Sequence, residues 1–266
     1  MSLLKADIPP ARSMRPFDPS PLRRPAVTPQ WRWAHKYLVE QRYLQRTQFL
    51  GFTKFKIVSR ERRGTAELFR MIFNYAGIPY EDVILQNVDW KSLICKTPYG
   101  NLPVLWMDHN MYGEPSAIIR LLARHLQLMG MNHSEMMVAE AVLEQVIDLK
   151  ESEILQKAFL ELQTRADDNA EQAFQVLLPR VFDSWERHLE ASLGYFILSS
   201  GFSIADMAMF DFLSQYRAYL PLDNLLVQRK HLCRHLAAVE RHPMLKGYFQ
   251  KYNGGGKNPP DILAQP

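Results

Sequence analysis

The chain has 266 residues, 47% hydrophobic and 23% charged, the balance of an ordinary globular protein with enough length for a sizeable core and one or two domains. No run of about 18 apolar residues occurs, so a transmembrane helix is not expected. The two cysteines, Cys95 and Cys233, are far apart and in no metal-ligand spacing, which excludes a disulfide framework and fits a reducing, cytoplasmic compartment. Each reads as a buried small hydrophobe rather than a reactive thiol.

A net charge of +4 and a pI near 9.0 invite a nucleic-acid reading, so the position of the charge matters. Residues 1–53 hold nine Lys/Arg against Asp7, Asp18 and Glu40, a balance of +6 that leaves −2 for the rest of the chain. The basicity therefore belongs to the leader, and the body gives no reason to expect nucleic acid. The first thirty residues also carry seven prolines, which deny the backbone regular hydrogen bonds. A helix is expected over 29–46, opened by Thr28-Pro29 and presenting Trp31, Trp33, Tyr37, Leu38 and Leu44. Packing on the body is its simplest role. Membrane or partner docking is the less favoured one, and organelle targeting is weakened by the two leader aspartates and the prolines.

From Lys54 onward the pattern alternates. "KFKIV" (54–58) is strand-like; Leu68, Phe69, Ile72, Phe73 and Ala76 recur at helical spacing, and Gly77 sits where a helix would stop. "DVILQ" (82–86) predicts a second strand, followed by a polar loop over 87–101. "LPVLWM" (102–107), a turn at "DHN" and a short strand at Met111-Tyr112 come next, then a helix from Pro115 to Leu126. The order βαβ then ββα is that of a compact α/β domain over 54–130. Residues 134–252 are almost wholly helical. One apolar stripe runs through Val138, Val142, Leu143, Val146 and Leu149; another runs from Phe174 to Leu189, with Pro179 expected to kink it. Further helices are expected at 203–217, 227–240 and 243–251, and a flexible tail over 253–266. No internal repeat, phosphate loop or nucleophilic triad is present. His231, Cys233 and His235 lie close in sequence but lack a carboxylate at matching spacing, so a surface helix is preferred to a metal site.

Four stretches in order sharpen this layout: "RGTAELFRMIFNYAGIPYED", "DWKSLICKTPYGNLPVL", "SAIIRLLARHLQLMG" and "SIADMAMFD". Together they resemble the cytosolic glutathione transferases over about residues 54–250, with the sigma class (haematopoietic prostaglandin D synthase and the S-crystallins) the closest. The resemblance implies an α/β thioredoxin-like N-terminal domain (βαβ-ββα) followed by an all-α C-terminal domain. It also implies a capping box in which Ser203 and Asp206 satisfy each other's end of a helix. In the family's glutathione site, Leu102-Pro103 takes the place of a cis-proline turn whose backbone pairs with the cysteinyl unit like an added strand. Trp90 falls at the glycyl end, Asn101 at a Lys/Gln position, and Glu114 at the position holding the γ-glutamyl ammonium. Glu144 falls where a carboxylate reaches into the partner subunit's site. Read alone, Trp90 is a core aromatic and Glu144 a solvated face residue.

The departures from the family pattern fall on the chemistry. Counting back from Gly64, Ser59 stands where sigma enzymes have the tyrosine whose hydroxyl stabilises the glutathione thiolate, and Arg60 stands at the following phenylalanine. A serine hydroxyl lies one bond past Cβ, so it does not reach the same point, and it is far less acidic than a phenol. Thr65 is the substitute donor to consider, against a first-turn threonine bonding locally. It replaces an arginine of the family's R-G-R, while Arg60, Arg62 and Arg63 add charge nearby and either hold an anion or are solvated. Pro115 occupies the position of a serine that donates twice to the γ-glutamyl carboxylate; losing both bonds costs on the order of 3 kcal/mol, about a hundredfold in affinity, unless Ser116 substitutes. Ile94 replaces a frequent lysine. These features leave open a transferase that conjugates glutathione to hydrophobic electrophiles or isomerises a prostaglandin-like substrate, as in detoxification. They equally leave open a non-catalytic ligand-binding, structural or scaffold protein, with a peroxidase or dehydrochlorinase variant behind. Glutathione, a hydrophobic small molecule and a second copy in a homodimer are the expected partners.

Overall fold

The computed structural model describes residues 54–60, 64–85, 92–164, 173–217, 220 and 222–252, with the side chains of 159–164 and 252 excepted. The helix expected at 29–46, Arg62, Arg63, Trp90 and the tail over 253–266 lie outside these residues.

Four strands form one sheet in the order β2-β1-β3-β4. β1 (Phe55–Ser59) and β2 (Glu81–Ile84) run parallel, and β3 (Val104–Met107) is antiparallel to both β1 and β4 (Asn110–Tyr112). β1 is internal and covered on both faces, which is why Ile57 and Val58 are consecutive apolar residues instead of an alternating pattern. The edge strands are short and carry Glu81, Asp82 and Asn110, a composition that discourages further pairing.

The parallel pair is joined by α1 (Glu67–Ala76), of which nine of ten residues are buried. A helix apolar on most sides must be covered on most sides. Phe73 packs 5.2 Å from Phe55 of the sheet, while other faces of α1 meet the helices at Pro115–His125, Ile204–Tyr216 and Lys246–Tyr252. Gly77 ends α1 at φ 67, a conformation open to glycine, and Ile78 donates to the Phe73 carbonyl at 2.9 Å, closing the turn. α2 (Pro115–His125) follows β4, with proline in its first turn.

The helical part opens with α3 (His133–Glu151), capped by Asn132, whose side chain accepts from the Glu135 N–H at 2.9 Å. The apolar stripe ending at Leu149 stops because Ser152 is extended, and a separate helix, α4 (Glu153–Thr164), starts there. α5 (Leu178–Ala191) carries Pro179 in its first turn, preceded by a wide π turn at Ala173–Leu177. Proline lacks a donor and crowds the preceding turn, so the expected kink is taken up as that widened turn.

α6 (Ile204–Tyr216) is buried along nearly its whole length and begins with the expected capping box of Ser203 and Asp206. It packs against α1, α3 and the helix at Lys230–Glu240, and one continuous core joins the sheet and the helices. The helix expected at 227–240 begins later, as α8 (Lys230–Glu240), and a short helix that was not expected, α7 (Asp223–Leu226), precedes it. The α8 start is set from outside: the Glu186 carboxylate of α5 accepts from the His231 and Leu232 N–H groups at 3.0 and 2.8 Å. A short 3-10 turn (Pro243–Leu245) leads into α9 (Lys246–Tyr252).

Two expectations are corrected. Cys95 and Cys233 are exposed, Cys95 in a loop turn and Cys233 on the outer side of α8. His235, expected on the solvated side of a surface helix, instead lies on the inner side of α8 and is fully buried, with its Nε2 3.0 Å from Asp206 Oδ1 under the α6 cap.

Candidate functional site

The sheet register gathers most of the expected residues at one end. Ser59 pairs with Ile84 on one side, and Val58 with Val104 on the other, so Ser59 ends beside Pro103. The Leu102-Pro103 bond is cis, as the resemblance implied. Leu102 is half-buried, and among the described residues nothing bonds to its N–H or its carbonyl. Two main-chain groups are thus left open at the start of β3, the arrangement that accepts an extended peptide unit.

Next to them Asn101 donates its side-chain N–H to Glu114 Oε1 at 3.0 Å, while Asn101 Oδ1 is shielded from solvent and has no described partner. Glu114 has φ 58, a strained backbone for a residue with a side chain, and it sets the carboxylate at the head of α2. Gly113 before it passes under Tyr99, where an added Cβ would lie 2.8 Å from the ring. Pro115 offers no N–H. The Ala117 and Ile118 N–H groups both go to the Glu114 carbonyl, leaving Ser116 with the first unclaimed N–H of α2 among the described residues.

Ser59 is buried and its hydroxyl accepts from Arg70 Nη2 at 2.9 Å. That places it as part of a polar cluster beneath the sheet end, facing α1. Arg70 bonds Asp82 with Nε at 3.0 and 3.1 Å and with Nη2 at 3.0 Å, and Glu67 with Nη1 at 2.9 Å. Burial works against the Arg70 charge, but Asp82 and Glu67 outweigh it and hold the guanidinium above its usual range. Burial pushes the Glu67 carboxyl up against the pull of Arg70, and the Tyr248 hydroxyl of α9 donates to it. Thr65 is half-exposed in the turn before α1, next to buried Gly64. Of the two candidate hydroxyls, it is the one open to solvent. Arg60 is half-buried after β1, and Ile94 is half-buried in the 3-10 turn Ile94–Lys96.

Glu144 lies on α3 with its carboxylate against Arg120 of α2, within the same chain. Arg120 also bonds Glu140 at 2.9 Å and the Ser116 carbonyl at 3.4 Å, so this acidic pair braces the first turn of α2. Sequence reasoning did not single out Glu67, Arg70, Asp211, Gln215 or Tyr248. A readable trace existed for the first two: an i, i+3 pair of opposite charges falls inside the apolar pattern of α1. Among the described residues no cluster of three or more His, Cys, Asp or Glu could hold a metal ion.

Residues 65–127 match the family model of the glutathione S-transferase N-terminal domain, and residues 148–252 match that of its C-terminal domain. Together the matches cover more than half of the chain. The chain belongs to the glutathione S-transferase family. This transferase-family chain is 33% identical over 118 residues to hematopoietic prostaglandin D synthase of Gallus gallus, across 41% of its own length and 59% of the relative's. It is 26% identical over 196 residues to S-crystallin SL11 of Nototodarus sloanii, covering 72% and 93%. The crystal structure of the glutathione S-transferase from Ascaris lumbricoides superposes with a TM-score of 0.64 at 25% identity, covering 74% of this chain and 97% of that one.

Proposed function

We propose that the chain binds glutathione at the sheet end, with the tripeptide extended along Asn101–Pro103 and its γ-glutamyl end at the head of α2. The observation carrying this is the cis Leu102-Pro103 turn with both Leu102 main-chain groups unclaimed among the described residues, beside the Asn101–Glu114 pair. In this reading the Leu102 N–H and carbonyl pair with the cysteinyl unit. Glu114 takes the ammonium, and the Ser116 N–H alone is left to meet the α-carboxylate at a helix N-terminus. Pro115 adds no donor, so binding is weaker than a serine there would give.

Thr65 is then the hydroxyl that faces the thiol, with Ser59 engaged by Arg70 behind it. A threonine donor lowers a thiol pKa less than a phenol does, so conjugation to a hydrophobic electrophile, or isomerisation of a prostaglandin-like substrate, proceeds slowly. The sigma-like relatives support this class; a homodimer and a cytoplasmic setting are part of the same proposal. The second reading is a non-catalytic ligand-binding or scaffold protein. The buried, occupied Ser59 hydroxyl favours it, as does the likeness to a relative named S-crystallin.

Calorimetry of glutathione binding, with conjugation rates on a chloro-dinitro arene, separates the two. An enzyme gives measurable turnover that Thr65→Ala reduces by about tenfold or more. A binder gives heat of binding without turnover in either protein. No heat with wild type or with Pro115→Ser rejects glutathione as the ligand.

A further inference from the structure

We infer that Gln215, on the central helix of the helical part, is the positioning residue for the Gly64–Thr65 turn, so that the loop carrying the site hydroxyl is set by the other half of the protein. The functional side of this rests on the glutathione reading above; the structural side does not. Gln215 is only 3% exposed, and its Nε2 donates to the Gly64 carbonyl at 3.3 Å and also to Asp211 Oδ1. A single amide nitrogen has two hydrogens, and both are used. The opposite amide orientation would point an oxygen at a carbonyl and a carboxylate, so the side chain has one acceptable orientation. Asp211 is fixed in turn by Lys150 of α3, whose Nζ lies 2.6 Å from Asp211 Oδ2.

Among the described residues, the turn at the other end has little else to define it. Gly64 has φ 120, a backbone open to glycine and available to many alternatives. Its carbonyl also accepts from the Glu67 N–H at 3.1 Å, which begins α1 but leaves the preceding torsions free. The residue before α1, Ala66, supplies no side-chain cap. Gln215 is therefore the long-range bond that selects one conformation of Gly64 and so the direction of Thr65. The Tyr248 bond to Glu67 and the Arg70 bond to Ser59 hold the flanking positions but do not reach the turn itself.

The test is hydrogen exchange by mass spectrometry on the full chain, comparing wild type with Gln215→Met, which keeps the shape and loses the donors, and with Gln215→Asn, which keeps a shortened amide. The expected result is that peptides spanning 60–67 exchange about tenfold faster in Gln215→Met, less so in Gln215→Asn, with peptides from 133–151 and 204–216 unchanged. Exchange at 60–67 that matches wild type overturns the inference. Acceleration spread evenly over 133–151 and 204–216 overturns it too, because Gln215 would then be a core residue and nothing more. With glutathione bound, ultraviolet thiolate absorbance should show the thiol pKa raised by about one unit in Gln215→Met at unchanged affinity. A wild type that binds no glutathione sinks the glutathione reading alone, since the exchange result is obtained without ligand.

Discussion

Arg70 is the side chain on which the site end of the sheet depends. It is fully buried and touches β1, β2 and α1 at once through Ser59, Asp82 and Glu67. Arg70→Met would leave Glu67 buried with only Tyr248 and no cation, and breaking a buried pair from one side costs about 3–5 kcal/mol. Urea unfolding should show that loss, while Asp82→Asn, whose carboxylate is nearer solvent, should lose less. His242 gives a second test at this scale. Its ring stacks 4.3 Å from Phe202, its Nδ1 accepts from the Met244 N–H at 3.3 Å, and burial pushes its pKa down from 6.5 despite Asp206. A histidine depressed in the folded state contributes stability that is complete above pH 6.5 and is lost as pH falls through the lower folded value. Denaturation midpoints should thus fall from pH 7 towards pH 5, and His242→Phe should flatten that slope.

At the scale of elements, Asp206 holds together more than one helix end. Its carboxylate accepts from Ser203 N–H and Oγ–H at 2.8 and 2.7 Å and from the Ile197 N–H at 2.8 Å, and it meets His235. Removal of the cap alone, by Ser203→Ala, should cost about 1 kcal/mol. Asp206→Ala strands three buried donors and His235 as well, and thermal unfolding should show about 3 kcal/mol or more. The Ser-x-x-Asp spacing makes the cap legible in the sequence, because a capping box is local. His235 and Ile197 are not legible there as its partners, since nothing local links them to Asp206. The same distinction explains the rest. β1, α1 and the Gly77 stop follow from periodicity, whereas the α8 start depends on Glu186 from another helix and the Pro179 kink is relaxed by the turn before it.

Across the whole molecule, sheet and helices share one core, with α1 enclosed between them. Fluorescence and far-ultraviolet circular dichroism should therefore report one coincident unfolding transition for the described body; two separated transitions would mean that the halves fold independently. The site shows how far sequence reaches at this scale. Asn101, Leu102, Pro103, Glu114, Pro115 and Ser116 are recognisable by motif, and the fold brings them to one sheet end. What the motif does not reveal is that Arg70 claims the Ser59 hydroxyl and that Gln215, 151 positions from Gly64, shapes the turn before α1. Both bonds depend on side chains brought together only by tertiary packing.

Isothermal titration of glutathione into the full-length wild type and into Pro115→Ser is the most direct trial of the central claim, that the open main chain at Leu102 grips a tripeptide thiol while the head of α2 has lost a donor pair. The account predicts weak binding in the wild type and an affinity gain of up to about a hundredfold in Pro115→Ser, where two hydrogen bonds are restored. No binding by either protein, or equal affinity in both, would contradict it.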